Sequence, residues 1–113
     1  MHEMSICESI IGVIEQAAVA QSFNKVNMVR LEIGPLAGVE LEALRFSFDV
    51  VTRGSIAQGA RLEVIELPMD AWCMQCAKKV TVKQRYDACP DCNSYQVQIT
   101  GGDELRIKDM EVD

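Results

Sequence analysis

Two Cys-x-x-Cys pairs, Cys73–Cys76 and Cys89–Cys92, stand twelve residues apart, with Pro90 inside the second. A pair this short lets both sulfurs turn toward one point. Two such turns on a hairpin can close a tetrahedron of thiolates around a single ion, the arrangement a structural zinc site requires. No histidine lies close enough in sequence to complete a mixed site, so the expected ligands are four cysteines. The alternatives are disulfides or free thiols; within-pair disulfides are strained, and cysteines reserved for a metal fit a reducing compartment. Iron in an all-sulfur tetrahedron uses the same donors. A zinc ion saturated by four cysteines has no open position for water, so its role would be structural. The motif says much about metal and little about function.

At 113 residues the chain can build one modest core and a metal-stapled lobe. Ser5-Ile-Cys-Glu8 reads as a capping box, and Ile6, Ile10, Val13, Ile14 and Ala17 follow at helical spacing, which predicts an amphipathic helix from Ser5 to about Gln21. Cys7 falls inside it as a lone thiol, read as a small packed side chain. Val29, Leu31 and Ile33 alternate with Arg30 and Glu32 as in a strand, broken by Gly34-Pro-Leu-Ala-Gly38. A second helix is expected from about Val39 to Thr52, with Leu41, Leu44, Phe48 and Val51 on one stripe and Gly54 as its stop. Arg61–Leu67 reads as a strand ended by Pro68.

Residues 69–100 form the expected metal lobe, with Val80 and Val82 alternating on one arm and Tyr95, Val97 and Ile99 on the other. Strand character resumes after Gly102. Its apolar phase slips by one between Ile107 and Met110, which predicts a bulge or a change of partner near Lys108-Asp109. The lobe is taken as too small to supply a sheet for this last strand, so the strand should return to the first domain. The expected fold is α+β: two helices packed on a three-stranded sheet, residues 1–68 plus 101–113, with a four-cysteine zinc ribbon inserted at 69–100.

The formal net charge is -6. Four thiolates outweigh one divalent cation, so the loaded chain would be more acidic still. Such a surface repels nucleic acid and anionic lipid. Lys78, Lys79, Lys83 and Arg85 form a local exception, offset by Asp87, Asp91 and the thiolates; a solvated hairpin is the simpler reading. No apolar run approaches a membrane span, and the amino terminus lacks a basic leader. The expectation is a cytoplasmic chain that binds neither nucleic acid nor membrane; a homodimer is compatible with the sequence. One histidine, no phosphate loop and no nucleophile elbow leave little for an enzyme to use.

There remains Met1-His2-Glu3. The initiator methionine is expected to stay, because the enzyme that trims it requires a small second residue. The Met1 α-amine, the His2 amide nitrogen and His2 Nδ1 then form fused chelate rings, and Glu3 can add a backbone nitrogen or its carboxylate as a fourth donor. Square-planar nitrogen ligation suits Ni²⁺ or Cu²⁺. Taken alone, composition favours a frayed start with an incidental histidine. The helix expected from Ser5 would instead hold these residues at its mouth.

Met-His-Glu-Met-Ser at the start, Leu31-Glu-Ile-Gly-Pro-Leu-Ala-Gly38, Leu44-Arg-Phe-Ser-Phe48, Gly54-Ser-Ile-Ala-Gln-Gly59 and the two cysteine pairs together resemble the HypA/HybF family, nickel metallochaperones of [NiFe]-hydrogenase maturation. The resemblance spans essentially the whole chain. It implies a nickel site on His2, with Met1 and Glu3 as backbone contributors, and a structural zinc on Cys73, Cys76, Cys89 and Cys92. It also implies two partners: an accessory GTPase that cooperates in nickel delivery, and the hydrogenase large-subunit precursor. Some members also serve urease. The rival from another class is a zinc-ribbon adaptor for RNA or a protein, using Lys78, Lys79, Lys83, Arg85 and Tyr95; acidity and the lack of a stacking cluster count against it. A dithiol redox protein using Cys-Pro-Asp-Cys is a third, weaker reading.

Overall fold

A computed structural model describes residues 2–113. In chain order the elements are α1 (His2–Gln21), β1 (Val26–Ile33), α2 (Leu41–Val51), β2 (Arg61–Glu66), β3 (Met69–Cys73), β4 (Lys78–Val82), β5 (Val97–Ile99) and β6 (Leu105–Val112). They make an α+β fold with two three-stranded sheets, ordered β2-β1-β6 and β4-β3-β5. The last strand does join the first sheet. The reason given from sequence needs correction, however: the cysteine lobe has a sheet of its own, with β3 as its central strand.

The chain divides into two compact units. One takes residues up to Leu31 together with Val39–Val64 and Ile107–Asp113; the other takes Glu32–Gly38 and Ile65–Arg106. In the first, α1 packs on α2. The buried face of α1 is Glu3, Cys7, Ile10, Ile11 and Ile14, while Val13 stays 53% exposed. The apolar stripe is thus centred one position from where Ile6 and Val13 would put it, and Cys7 is inside it. Its Sγ donates to Leu44 O at 3.6 Å. Burial, and then the charge of Glu3, push the Cys7 thiol up to about 11, which makes it an inert packing group.

Two helix starts differ from expectation. Helix α1 begins at His2, so Ser5 lies within the helix and is not its cap. Helix α2 begins at Leu41 behind Glu40, whose carboxylate accepts from Glu42 N (3.2 Å) and Ala43 N (2.7 Å). A glutamate here fills the place more often taken by Ser, Thr, Asp or Asn. Leu44 and Phe48 carry the buried face of α2, as their spacing predicts. On β1, burial of Val26 and Met28 and then Val29, Leu31 and Ile33 shifts phase by one. On β6, Asp109 reaches Arg30 and Arg106 reaches Glu32. The half-buried residues of β6 are Ile107 and Met110, three apart, so the phase shifts between them within one continuous strand.

In the second unit β3 pairs antiparallel with β4 (Met69↔Val82 through Cys73↔Lys78) and with β5 (Ala71↔Ile99, Cys73↔Val97). One face of this sheet buries Met69, Ala71, Cys73, Val80, Val82 and Cys89, with Leu36, Val97 and Ile99 packed against them. Leu36 is brought there by a close crossing. Gly34 N donates to Glu104 O at 2.8 Å, and a Cβ on Gly34 would lie 2.2 Å from Gly102 O. Only glycine fits that position without backbone movement.

Candidate metal centres

Each cysteine pair sits on a knuckle closed by one backbone bond to the first cysteine's carbonyl and one amide on its sulfur. In the first, Ala77 N donates to Cys73 O (2.8 Å) and Cys76 N to Cys73 Sγ (3.3 Å). In the second, Asn93 N donates to Cys89 O (2.8 Å) and Asp91 N to Cys89 Sγ (3.4 Å). Each knuckle is followed by a residue with positive φ, Ala77 at 53° and Asn93 at 64°, which turns the chain back out. Amides aimed at sulfur favour thiolate over thiol.

The four sulfurs converge. Cys73 Sγ lies 3.6 Å from Cys92 Sγ and Cys76 Sγ 3.9 Å from Cys89 Sγ, and all four lie within 4.8 Å of one another. Zn–S bonds of about 2.3 Å set tetrahedral edges of about 3.8 Å, so the donors fit a four-sulfur zinc site. A disulfide, with sulfurs about 2.05 Å apart, is a different geometry, and all five cysteines are free thiols. The Cys76 amide, aided by the neighbouring sulfurs, pulls the Cys73 thiol down to about 7. The sulfur of Cys92, then burial, push Cys76 up to about 12. Four crowded thiols do not all ionise unaided, whereas a central dication removes that repulsion. Among the described residues this is the group of ligating side chains gathered tightly enough to hold an ion.

The second candidate is the chain's start. Met1 lies outside the described residues. His2 and Glu3 occupy the first turn of α1, so they belong to the helix itself. The His2 side chain is 47% exposed and its Nε2 lies 3.4 Å from Glu3 Oε2. Glu3 is buried, 7% exposed, and its Oε2 accepts from Glu40 N at 3.2 Å. The Glu3 carboxylate thus links the first turn of α1 to the cap of α2. Sequence reasoning missed this use of the Glu3 side chain, and Glu40 with it. Their contact joins residues 37 apart, which no local spacing reveals.

The remaining residues singled out in the hairpin disperse. Lys78 pairs with Asp91 at 2.6 Å. Asp87 Oδ2 accepts from the backbone of Lys83 and Gln84. Tyr95 is 77% exposed, off the end of β5, and not on the alternating face with Val97 and Ile99.

The family described as "Hydrogenase/urease nickel incorporation, metallochaperone, hypA" matches residues 1–112. The chain belongs to the HypA family. It is 60% identical to the hydrogenase maturation factor HypA of Azotobacter chroococcum mcd 1 and 58% identical to that of Azotobacter vinelandii, each over 113 residues and the full length of both chains. The fold is that of the solution structure of the Ni metallochaperone HypA from Helicobacter pylori, at TM-score 0.70 and 25% identity, covering 99% of this chain and 97% of that one. As a HypA-family nickel metallochaperone, the chain is tied to hydrogenase maturation. Among the described residues no helix is long and apolar enough to cross a membrane.

Proposed function

We propose that the chain takes up Ni(II) at its amino terminus and delivers it to the large-subunit precursor of a [NiFe]-hydrogenase. Zn(II) on Cys73, Cys76, Cys89 and Cys92 would hold the lobe. The nickel donors in this reading are the Met1 α-amine, the His2 amide nitrogen, His2 Nδ1 and the Glu3 backbone nitrogen. An accessory GTPase would supply the nucleotide hydrolysis for which this chain has no phosphate loop. The site of action would be the cytoplasm, where unpaired thiolates persist.

The observation that carries the reading is the His2–Glu3 contact. The His2 ring lies with Nε2 3.4 Å from the Glu3 carboxylate, an arrangement that leaves Nδ1 for a metal. Nδ1 is the nitrogen that closes a six-membered chelate ring with the His2 amide. The positive end of the α1 dipole opposes a cation at this place by about 0.3–1 kcal/mol, and the Glu3 carboxylate offsets it. Such a balance suits a carrier, which must bind its cargo and also release it.

Metal analysis of untagged protein tests the division between the centres. The expected result is one zinc per chain as isolated and one further nickel after titration. Zinc with no nickel uptake would contradict the carrier reading and favour an adaptor.

A further inference from the structure

The zinc lobe has an open sheet edge beside a groove, and the proposed metal handling uses neither. Strand β5 is the outer strand of the sheet β4-β3-β5. Met74 N donates to Gln96 O and Thr100 N to Asp70 O, with Trp72 opposite Gln98. In an antiparallel ladder with those bonded pairs, the N–H and C=O groups of Val97 and Ile99 point away from β3. Beside that edge lies a groove of about 450 Å³, lined by Arg85, Tyr86, Asp87, Tyr95, Val97 and Ile99 among others. Tyr86 and Tyr95 are 91% and 77% exposed. Tyrosines standing out beside an unpaired strand edge are residues that dominate binding when a partner covers them.

Charge selects the occupant. Among the described residues, no ion pair involves Arg85, which lines the groove, or Lys83 in the same turn; Lys78 and Lys79 lie on β4, at the other side of the sheet. The one carboxylate lining the groove, Asp87, directs an oxygen to the Lys83 and Gln84 amides and so fixes the turn that presents Arg85 and Tyr86. Tyr86 in that turn has φ 69°, a conformation that bulky L-residues rarely adopt. Arg85 and Lys83 outnumber Asp87 in this turn, within a chain of net charge -6. A second copy docking edge to edge would set Arg85 and Lys83 against their own counterparts, which disfavours self-pairing.

We propose that the β5 edge is a docking groove for an extended, acidic segment of a partner protein. The segment would add to the sheet as a fourth strand. Its backbone would bond Val97 and Ile99, its acidic side chains would face Arg85 and Lys83, and its apolar side chains would rest on Tyr86 and Tyr95. This concerns a different surface from the proposed nickel site and stands whether or not nickel binds at the amino terminus.

The test selects a displayed library of random linear dodecapeptides against the zinc-loaded full chain. The enriched peptides are then synthesised and titrated against it by NMR and hydrogen exchange. The expected result is enrichment of sequences with acidic residues at alternate positions, together with new exchange protection at the Val97 and Ile99 amides. Arg85→Glu should weaken binding about fivefold, the scale of one exposed ion pair, while Lys108→Glu on β6 should leave it unchanged. Methylating alternate peptide nitrogens should abolish binding. The proposal is overturned by an absence of enrichment, by basic or charge-indifferent winners, by winners insensitive to Arg85→Glu, or by shifts that spare β5. Preferential binding of poly(U) at this edge would make it a nucleic-acid surface. A concentration-dependent dimer protecting the same two amides would assign it to a second copy. Either result also overturns the proposal.

Discussion

The cysteine cluster and the helix start are the two proposed metal centres of this chain, and they are built in opposite ways. At the cluster, donors come from two knuckles with twelve residues of chain between them, each fixed by its own backbone bonds and backed by Met69, Ala71, Val80 and Val82. At the helix start the proposed donors are consecutive along one chain end, and the described ring is about half exposed. Donors drawn from separate turns and set in a core cannot leave one by one without unfolding it. Consecutive donors on one stretch of chain, with the His2 ring half exposed, can peel away singly. Retention and release then follow from where the ligands sit in the fold as much as from which atoms they are.

The largest expected effect breaks the first half of that comparison. Cys89→Ala should lose zinc and unfold the lobe over 69–100, because binding free energy at such a site is folding free energy, about 10–16 kcal/mol in small zinc peptides. The helix α1 should persist, since its buried face packs on α2. A full zinc equivalent with an unchanged lobe in NMR spectra would contradict the four-cysteine site.

A second substitution tests whether the lobe depends on the crossing at Gly34 as well as on metal. Gly34→Ala places a methyl 2.2 Å from Gly102 O and 2.3 Å from Gly102 C, both backbone. Overpacking of this kind costs about 1–3 kcal/mol, so the melting temperature should fall while zinc content stays near one. Unchanged stability would show that the crossing is looser than the structure has it.

The smallest effect has the opposite sign and sharpens the other half. Gly12 lies inside α1 with nothing within 4 Å of an added Cβ. Gly12→Ala should therefore stabilise the protein by about 0.5–1 kcal/mol through helix propensity. Nickel affinity should not move, because the proposed donors all lie at the first turn. A change in affinity would mean that the carrier end senses the stiffness of the whole helix.

These contrasts also mark what the sequence made legible. The cysteine tetrahedron could be read because its geometry is local: spacing alone sets which sulfurs can meet. The alternation of Val80 with Val82 and the stripe of Leu44 with Phe48 were equally local. The central strand β3 was missed because Met69-Asp-Ala-Trp-Cys73 turns Trp72 to solvent and buries Ala71, an inversion of the usual apolar cue. The start of α1 was misplaced for a different reason. Ser5 with Glu8 is a sound capping pattern, yet Glu3 is buried and bonded to Glu40 N, and that long-range contact accompanies a helix that begins at His2.

The central claim is that cargo binds through the chain's own terminal amine together with His2, on a first turn that folds independently of zinc. The direct measurement is a nickel titration of native protein and of protein extended by a few residues before Met1, following the d–d absorption band of square-planar Ni(II). The extension turns the α-amine into an amide and removes one donor. High-affinity binding and the band should therefore be lost, with zinc content and folding intact. Equal affinity and the same band in the extended protein would contradict the claim and place the cargo site elsewhere.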